Sequence, residues 1–300
     1  MPKDPAQLTR KEKARYFVEN LALRTIIGGM GILPYSWRVP MMGRVMRLVA
    51  PLAGYDKRVR DNLALTSPQL SSDEVDRITA EVCDNVGRTI SELYAGAAFR
   101  KRAWNAQVTG EGLAAFEAAR AEGRPVVLVT AHFGNYDAAR SKLTQMGHPM
   151  GSLYRRMANP YFNTHYVKAI EATSKPMFEQ GKRGMVELVR HLKKGGIIAI
   201  VADVHTNRGL ELPFFGQAAD TSLVPAELAL KYNAAFIPVY GIRKENGLDF
   251  EVRMNAEVPA SDAETMTRAV LQDLEDVARD HMGQWFWIHR RWKAAQRKAG

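Results

Sequence analysis

The stretch VVLVTAHFGNYDAAR, residues 126–140, decides the fold that we predict for this chain. It opens with four consecutive apolar residues, 126–129, and such a run is typical of a strand that is buried on both faces. Polar residues follow at once, and Gly134 and Asn135 are typical of a turn. We therefore expect a buried strand, a turn, and a helix with Asp137 in its first turn.

Further strands and helices alternate along the chain. Apolar runs predict two more buried strands at residues 197–202 and 235–240, a short strand at 151–154 and a more exposed one at 250–254. Apolar residues at helical spacing predict helices at residues 72–94, 113–122, 161–172, 184–192, 222–232 and 265–281. This order predicts an α/β fold with a mixed, largely parallel central sheet, containing at least three parallel strands and flanked by helices.

The composition is that of a globular protein with an excess of positive charge. A length of 300 residues allows one large domain or two smaller ones. The net charge of +10 favours an anionic partner, which could be nucleic acid, an anionic membrane surface, a phosphorylated substrate or an acidic protein. The single cysteine, Cys83, excludes an intramolecular disulfide and a cysteine metal cluster, and we expect it in the core.

Residues 1–54 begin basic and become apolar, without the pattern of a cleaved signal peptide. The uncharged run at residues 25–37 is shorter than the roughly 20 apolar residues that a spanning helix needs. Basic and aromatic residues are interspersed, namely Arg24, Arg38, Arg44, Arg47, Tyr35 and Trp37. Such a segment is typical either of amphipathic helices in the headgroup layer of an anionic bilayer or of a helical hairpin packed on the protein itself. We predict the first, with a helical membrane-associating segment at residues 1–54 and an α/β domain at residues 55–300.

His132 and Asp137 form the first candidate for catalysis. On a continuous helix their spacing would set them roughly 140° apart, so they could not touch. A turn between them would let the side chains converge, and an imidazole held by a carboxylate is a general base suited to taking a proton from an alcohol. A hydrogen-bonded histidine in a loop is the alternative that the pair alone leaves open.

Two further polar motifs follow predicted strands, where ligands tend to bind in open α/β sheets. In YRRMANP, residues 154–160, Arg155 and Arg156 could clamp a phosphate or a carboxylate, or could lie in a solvated loop. Asp203 ends a predicted buried strand, so its carboxylate should emerge at the same edge of the sheet. His205 lies two residues later, but no further histidines and cysteines cluster there, and we predict no metal site.

Aromatic residues mark two motifs nearer the C-terminus. PFFGQAADT, residues 213–221, could line a groove for an acyl chain or form a loop anchored in the core. QWFWIHRRWK, residues 284–293, combines aromatic and basic residues, which suits an interfacial membrane anchor and also nucleic-acid stacking. Neither motif by itself decides between its alternatives.

Together these motifs resemble those of one enzyme family. His-x4-Asp at a strand-to-helix junction resembles the catalytic motif of the glycerolipid and lipid A acyltransferase superfamily, and HFGNYD resembles its fuller form in the bacterial lipid A late acyltransferases. Four further motifs of the family have counterparts here in the family's order, namely the Tyr-Arg…Asn-Pro segment, the Asp of Pro-Asp-x-Asp, Phe-Phe-Gly…Thr and Trp-x-x-His-Arg-Arg-Trp-Lys. The segment RVRDNLALTSPQLSSDE, which starts at Arg58, also resembles a family segment. The resemblance covers most of the chain, from about residue 58 to residue 293.

The resemblance implies a membrane-associated O-acyltransferase that moves a fatty acyl group from an acyl thioester on acyl carrier protein to a hydroxyl of a lipid A precursor. His132 would be the general base, Asp137 would orient it, and backbone N–H groups around Gly134 and Asn135 would bind the oxyanion. Substrate-binding roles are implied for Asn135, Arg155, Asn159, Lys168, Arg183, Asp203 and Thr221. The resemblance also implies no cofactor, an anionic membrane lipid as acceptor, no nucleic-acid partner, and a peripheral or monotopic location on the cytoplasmic face of the inner membrane.

Two departures from the family pattern concern the acceptor. Asp137 stands where lipid A enzymes usually carry Glu, and it is the shorter acid typical of glycerolipid acyltransferases. The family's Arg about ten residues after Asn-Pro has no counterpart near Ile170, where Lys168 is the nearest cation. A lysophospholipid or glycerolipid acyltransferase is therefore an alternative, as is a lipid-directed hydrolase in which His132 activates water.

Overall fold

The computed structural model describes residues 5–293, so the outer ends of the two predicted segments, residues 1–4 and 294–300, lie outside the described residues. The strands are β1 (Gln107–Thr109), β2 (Val126–Thr130), β3 (Met150–Tyr154), β4 (Met177–Glu179), β5 (Ile197–Val201), β6 (Leu210–Phe214), β7 (Gln217–Thr221), β8 (Ala235–Arg243) and β9 (Phe250–Met254). The α-helices are α1 (Arg10–Gly31), α2 (Tyr35–Val49), α3 (Tyr55–Thr66), α4 (Ser72–Leu93), α5 (Ala97–Trp104), α6 (Gly112–Ala121), α7 (Tyr136–Gln145), α8 (Pro160–Glu171), α9 (Lys182–Lys193), α10 (Val224–Lys231) and α11 (Ala263–Asp280). Short 3-10 helices lie at Pro5–Gln7, Pro51–Ala53 and Met282–Gln284.

The strand β2 lies at the centre of a seven-stranded sheet with the order β1-β9-β8-β2-β5-β3-β4. It pairs in parallel with both β5 and β8, so that Val126 lies opposite Ile197 on one side and Ala235 on the other. The strand β9 is antiparallel to β8, whereas β1 is parallel to β9 and β3 is parallel to β4 and β5. The predicted mixed, largely parallel sheet is thus confirmed, and β6 and β7 form a separate antiparallel hairpin.

The sequence of β2 reflects helices on both faces of the sheet. Val126 and Leu128 pack with residues of α5, α6 and α7, whereas Val127 and Val129 pack with residues of α9, α10 and α11. All four side chains are buried, which explains why the apolar run does not alternate with polar residues. The helices and strands predicted from the sequence are present with ends that differ by three residues at most, whereas α3, α5, β1, β4 and the β6-β7 hairpin were not predicted.

The aromatic residues of the C-terminal motif lie in a third core. Trp285, Trp287 and Trp292 are buried against Phe214 and Phe215, and the ring centroids of Trp285 and Trp287 are 4.6 Å apart. The interfacial-anchor and nucleic-acid-stacking interpretations of these tryptophans are therefore wrong, because their faces are used for packing inside the protein. Of the two alternatives for the PFFG motif, the loop anchored in the core is the one observed.

The helices α1 and α2 pack on the rest of the chain along one side. A Cβ atom on Gly87 of α4 would lie 2.2 Å from the carbonyl oxygen of Met42, so α2 and α4 are in close contact. Arg38, expected among the membrane-facing cations, is instead buried and donates to the carbonyl oxygen of Ala95 at 3.4 Å. The same segment also exposes apolar side chains, namely Phe17, Val18, Leu21, Leu23, Ile26, Ile32, Trp37, Val45, Leu48, Val49 and Leu52. Among residues 5–293, no helix is both long enough and apolar enough to cross a bilayer.

Candidate active site

The pairing of β2 with β5 brings the central side chains of the site together. In this parallel pair Thr130 lies opposite Val201, and continuing the register for two residues places His132 beside Asp203. The Nδ1–H group of His132 donates to Oδ1 of Asp203 at 3.0 Å. The backbone N–H of His132 donates to Oδ2 of the same carboxylate at 2.9 Å. Asp203 therefore holds both the ring and the main chain of His132.

Asp203 is fully buried and receives further donors from the C-terminal segment. Its Oδ2 accepts a hydrogen bond from Nε1 of Trp285 at 3.1 Å, and Nε2 of His289 lies 3.5 Å from the same oxygen. Burial acts to raise the pKa of this carboxyl, but the charge and hydrogen bond of His132, aided by His289, hold the pKa well below its usual range. The carboxylate is thus charged at neutral pH.

His132 lies at the opening of the site, with 32% of its side chain exposed. Burial acts to lower its pKa, but the charge and the hydrogen bond of Asp203 raise it by more, so the pKa lies above the usual value for histidine. The rings of Tyr136, Phe286 and His289 lie around it, with centroids at 5.5, 6.1 and 4.8 Å. Because Nδ1 is bound to Asp203, Nε2 is the nitrogen available to take a proton from a substrate.

Asp137, which we predicted to orient His132, has a different partner in the structure. It lies in the first turn of α7 as expected, but its carboxylate accepts a hydrogen bond from Arg140 one turn later, and both side chains are buried. Arg140 also donates to the carbonyl oxygen of Ser174 at 3.1 Å. The prediction is therefore corrected: Asp203 orients His132, and Asp137 with Arg140 ties α7 to the residues that follow α8.

The backbone N–H groups that we predicted to bind an oxyanion are already hydrogen-bonded. The N–H of Gly134 donates to the carbonyl oxygen of Gln284 at 2.9 Å, and that of Asn135 donates to Gly241 at 2.8 Å. These bonds hold the turn against β8 and the C-terminal segment, so neither group is free to stabilise a developing charge. Gly134 has a φ of +52°, and a Cβ atom there would lie 2.1 Å from the carbonyl oxygen of Gly241, so this position requires glycine.

Asn135 shapes the turn through the hydrogen bonds of its side chain. Its side-chain oxygen accepts the N–H of Asp137 at 3.0 Å and so caps α7, while its Nδ2 donates to Glu92 of α4 at 2.7 Å. Glu92 is buried and forms an ion pair with Arg243 of β8, and it also accepts a hydrogen bond from Tyr35 of α2 at 3.1 Å. Sequence reasoning missed Glu92 and Arg243, because no local pattern signals a pair that is so far apart in the chain.

The remaining residues predicted to bind substrate lie elsewhere. Asn159 caps α8 and donates to the carbonyl oxygen of Tyr16 in α1 at 2.7 Å, so its contacts are structural. Thr221 is buried and accepts a hydrogen bond from Arg291 at 2.6 Å. The others are exposed: Arg155 after β3, Lys168 on α8, and Arg183 on α9, where it pairs with Glu187. Of the seven predicted residues, only Asp203 contacts His132.

His289 is a second histidine at the site that sequence reasoning did not single out. His132, Asp203 and His289 each offer one possible metal-ligand atom, and these three atoms lie within 4.8 Å of one another. In the described part of the chain, this is the group of residues that could hold a metal ion. Both oxygens of Asp203 already accept hydrogen bonds from His132 or Trp285. The arrangement is therefore suited to orienting an imidazole and stabilising its protonated form.

Comparison with known proteins finds acyltransferases that act on lipids. The family model described as "Bacterial lipid A biosynthesis acyltransferase" matches residues 7–294. The chain is 22% identical to "Lipid A biosynthesis acyltransferase 2" of Shigella flexneri, over 88% of this chain and 86% of the relative. It is 24% identical to "Lipid A biosynthesis palmitoleoyltransferase" of Escherichia coli, over 88% of this chain and 90% of the relative.

Other relatives act on a different glycolipid according to their names. The chain is 25% identical to "Phosphatidylinositol mannoside acyltransferase" of Mycobacterium tuberculosis. The match covers 61% of this chain and 59% of that relative. The family model, in contrast, extends over nearly the whole chain and includes both His132 and Asp203. The chain belongs to the bacterial lipid A biosynthesis acyltransferase family.

Proposed function

We propose that this protein transfers a fatty acyl group from an acyl thioester to a hydroxyl of a lipid A precursor. The observation that carries the proposal is the His132–Asp203 pair at the ends of two parallel strands, in a chain that belongs to a family of lipid acyltransferases. A carboxylate-bound imidazole with its other nitrogen open to the outside has the chemistry needed to activate a hydroxyl.

The proposed reaction needs one base and no covalent enzyme intermediate. Nε2 of His132 takes the hydroxyl proton as the substrate oxygen attacks the thioester carbonyl carbon. Asp203 remains ionised and stabilises the imidazolium that forms. The new ester C–O bond is kept while the thioester C–S bond breaks. The leaving thiolate takes the proton that His132 carries. The chain has no Gly-x-Ser-x-Gly elbow that would suggest an acyl-enzyme.

We propose acyl carrier protein as the donor. The net charge of +10 supports attraction to an acidic protein. Coenzyme A is the alternative carrier of a thioester, and parallel assays with the two donors at increasing salt would distinguish them. A carrier-protein donor predicts a KM that rises steeply with salt, because the attraction is between two protein surfaces.

We further propose that residues around α1 and α2 rest on the cytoplasmic face of the inner membrane. Leu48 and Leu52 are 78% and 89% exposed, and the exposed Arg44 and Arg47 lie beside them in sequence. Apolar side chains flanked by cations are typical of a segment that lies in the headgroup layer. The buried contacts of α2 with α4 are compatible with this location, because they use the opposite side of the helix.

The acceptor is tested by comparing the total lipids of a deletion strain with those of its parent by mass spectrometry. Loss of one acyl chain from lipid A supports the proposal. Unchanged lipid A with an accumulated lysolipid would instead favour a glycerolipid acyltransferase, the alternative that Asp137 suggested. Purified protein that releases free fatty acid without an acylated acceptor would indicate a hydrolase.

A further inference from the structure

A cleft between α3 and the C-terminal segment has a volume of about 410 Å³, within the range of small-ligand sites. Six of its lining residues are Lys57, Arg58, Asp61, Asn62, Arg290 and Lys293. Four of these side chains are cationic and one is acidic. Positive charge therefore dominates the lining of the cleft.

The single acid of the cleft is already neutralised. Asp61 accepts hydrogen bonds from Lys57 at 2.7 and 3.0 Å, one turn apart on α3. Arg58 donates to the carbonyl oxygen of Ile288 at 3.4 Å and forms no ion pair with a carboxylate of the described residues. Within residues 5–293, neither Arg290 nor Lys293 forms an ion pair with a carboxylate. Three cations therefore face one cleft without a carboxylate of their own, which favours an anion there.

A larger cleft, with a volume of about 1280 Å³, has a different distribution of charge. It is lined by both signs of charge, with five acidic and six cationic side chains, and most of its cations are paired within the protein. Arg77 binds Glu81 at 2.9 Å, Arg88 binds Asp84, and Arg243 binds the buried Glu92. Size alone therefore does not indicate an anion site, whereas unpaired charge does.

The smaller cleft is held rigidly beside the catalytic pair. Nδ2 of Asn62 donates to the carbonyl oxygens of Trp287 and His289, at 2.7 and 2.9 Å, and so fixes α3 to the C-terminal segment. The His289 ring lies 4.8 Å from that of His132, and Arg290 is the next residue along the chain, one Cα step of about 3.8 Å away. The cleft is thus attached to the segment that carries His289, whose ring contacts the proposed base.

The cleft also borders the surface that we propose to contact the membrane. Gly54, at the start of α3, is one of its lining residues, and the strongly exposed Leu52 lies two positions earlier. If Leu52 enters the acyl boundary of the bilayer, the cleft lies at the level of the lipid headgroups. Phosphate groups of lipids are anions found at this level.

We infer that this cleft binds a phosphate group of the lipid acceptor while its hydroxyl is presented to His132. The inference rests on the proposed function and adds to it the chemical class of the group that anchors the acceptor. Arg58 and Arg290 can each offer two parallel N–H groups to phosphate oxygens, and Lys293 adds a point charge. The cleft would thus select acceptors that carry a phosphate at a set distance from the acylated hydroxyl.

The test compares the variant Arg290→Gln/Lys293→Gln with the control Lys101→Gln/Lys194→Gln, which removes two exposed cations that do not line the cleft. Each protein is assayed with a phosphate-bearing acceptor and with its dephosphorylated analogue. We expect the cleft variant to raise KM for the phosphorylated acceptor roughly 10- to 100-fold, with kcat little changed. The control should behave as wild type, and the two acceptors should become similar for the cleft variant alone.

A binding measurement separates failure of the cleft from failure of the proposed reaction. Dihexanoyl phosphatidic acid and inorganic phosphate are titrated into the His132→Ala protein, with and without the cleft substitutions, so no turnover is required. Weaker binding of phosphatidic acid in the cleft variant supports the inference. Equal binding of phosphatidic acid with and without the cleft substitutions overturns it, as does loss of inorganic phosphate binding in the cleft variant with an unchanged KM for the acceptor. If wild-type protein makes no acylated lipid, the reaction is wrong whatever the binding result.

Discussion

Replacing Asp203 with Asn tests the central geometry of the site, because it removes the charge while keeping the shape. Asp203 accepts three hydrogen bonds, from Nδ1 and the backbone N–H of His132 and from the indole of Trp285, at 3.0, 2.9 and 3.1 Å. An amide oxygen can still accept the last two. The amide NH₂ group then faces Nδ1 and favours the tautomer whose Nε2 carries the hydrogen, so the base cannot accept a proton.

We expect Asp203→Asn to lower kcat/KM for acyl transfer by roughly 10²- to 10⁴-fold, the usual value of a general base. The pH dependence should change as well. In the wild type the pKa of His132 is raised, so the acid limb of kcat/KM lies above the ordinary histidine value of about 6.5. Without the charge of Asp203 only the lowering effect of burial remains, so the acid limb of the residual activity should move to lower pH.

The assay is the pH profile of transfer from a labelled acyl thioester, with the imidazole pKa followed in parallel by NMR. Asp137→Asn is the matched control, since its carboxylate binds Arg140 and not His132. We expect the control to leave the acid limb where it is. If Asp203→Asn kept the wild-type rate and profile while Asp137→Asn moved the acid limb, the assignment of Asp203 would be refuted and the interpretation from sequence spacing would be restored.

Stability must be measured alongside activity, since Asp203 is buried. Folding lowers the pKa of this carboxyl, so its charge stabilises the fold above about pH 4, and this contribution is lost as the pH falls through the lowered value. The raised pKa of His132 has the opposite sign, and its contribution is full below about pH 6.5 and is lost as the pH rises through the folded value. The difference in thermal stability between wild type and Asp203→Asn should therefore shrink in strong acid.

Three further substitutions test the support of the site and its proposed membrane contact. Glu92→Gln should destabilise the protein by roughly 3–5 kcal/mol in chemical denaturation, because it leaves the buried Arg243 without its counter-charge; a loss below about 1 kcal/mol, as for an exposed pair, would contradict this. Gly134→Ala should lower both stability and activity more than Gly147→Ala, since both positions have positive φ but only the first has backbone within 4 Å of the added methyl; equal losses would mean that strain alone matters. Leu52→Glu should reduce sedimentation with anionic vesicles while leaving the melting temperature unchanged, because this side chain is 89% exposed; unchanged sedimentation would place the membrane contact elsewhere.

Local patterns in the sequence were sufficient for much of the architecture. The apolar run of β2, the turn at Gly134 and the helix α7 were predicted from residue type and spacing, and all three are observed. The buried position expected for Cys83 is also observed. Such features depend on neighbours within a few residues, where periodicity and turn chemistry determine the backbone.

The errors concern residues whose partners are distant in the chain. Asp137 was paired with His132 because it is near in sequence, whereas the partner observed, Asp203, is 71 residues away. The tryptophans of the C-terminal motif were given surface roles because composition does not reveal what an aromatic ring packs against. In the structure Trp285 is instead buried, and its indole N–H donates a hydrogen bond to Asp203.

The sequence by itself determined the strand-helix alternation, the resemblance to one enzyme family and the proposal that His132 is the base. Only the tertiary structure decided that Asp203 is its partner, that the N–H groups of Gly134 and Asn135 are occupied, and that cations of α3 face Arg290 across a cleft. The physical reason is the range of the interactions. Periodicity acts within one element, whereas the register of two parallel strands and the closure of a C-terminal segment over them are set by packing of the whole chain.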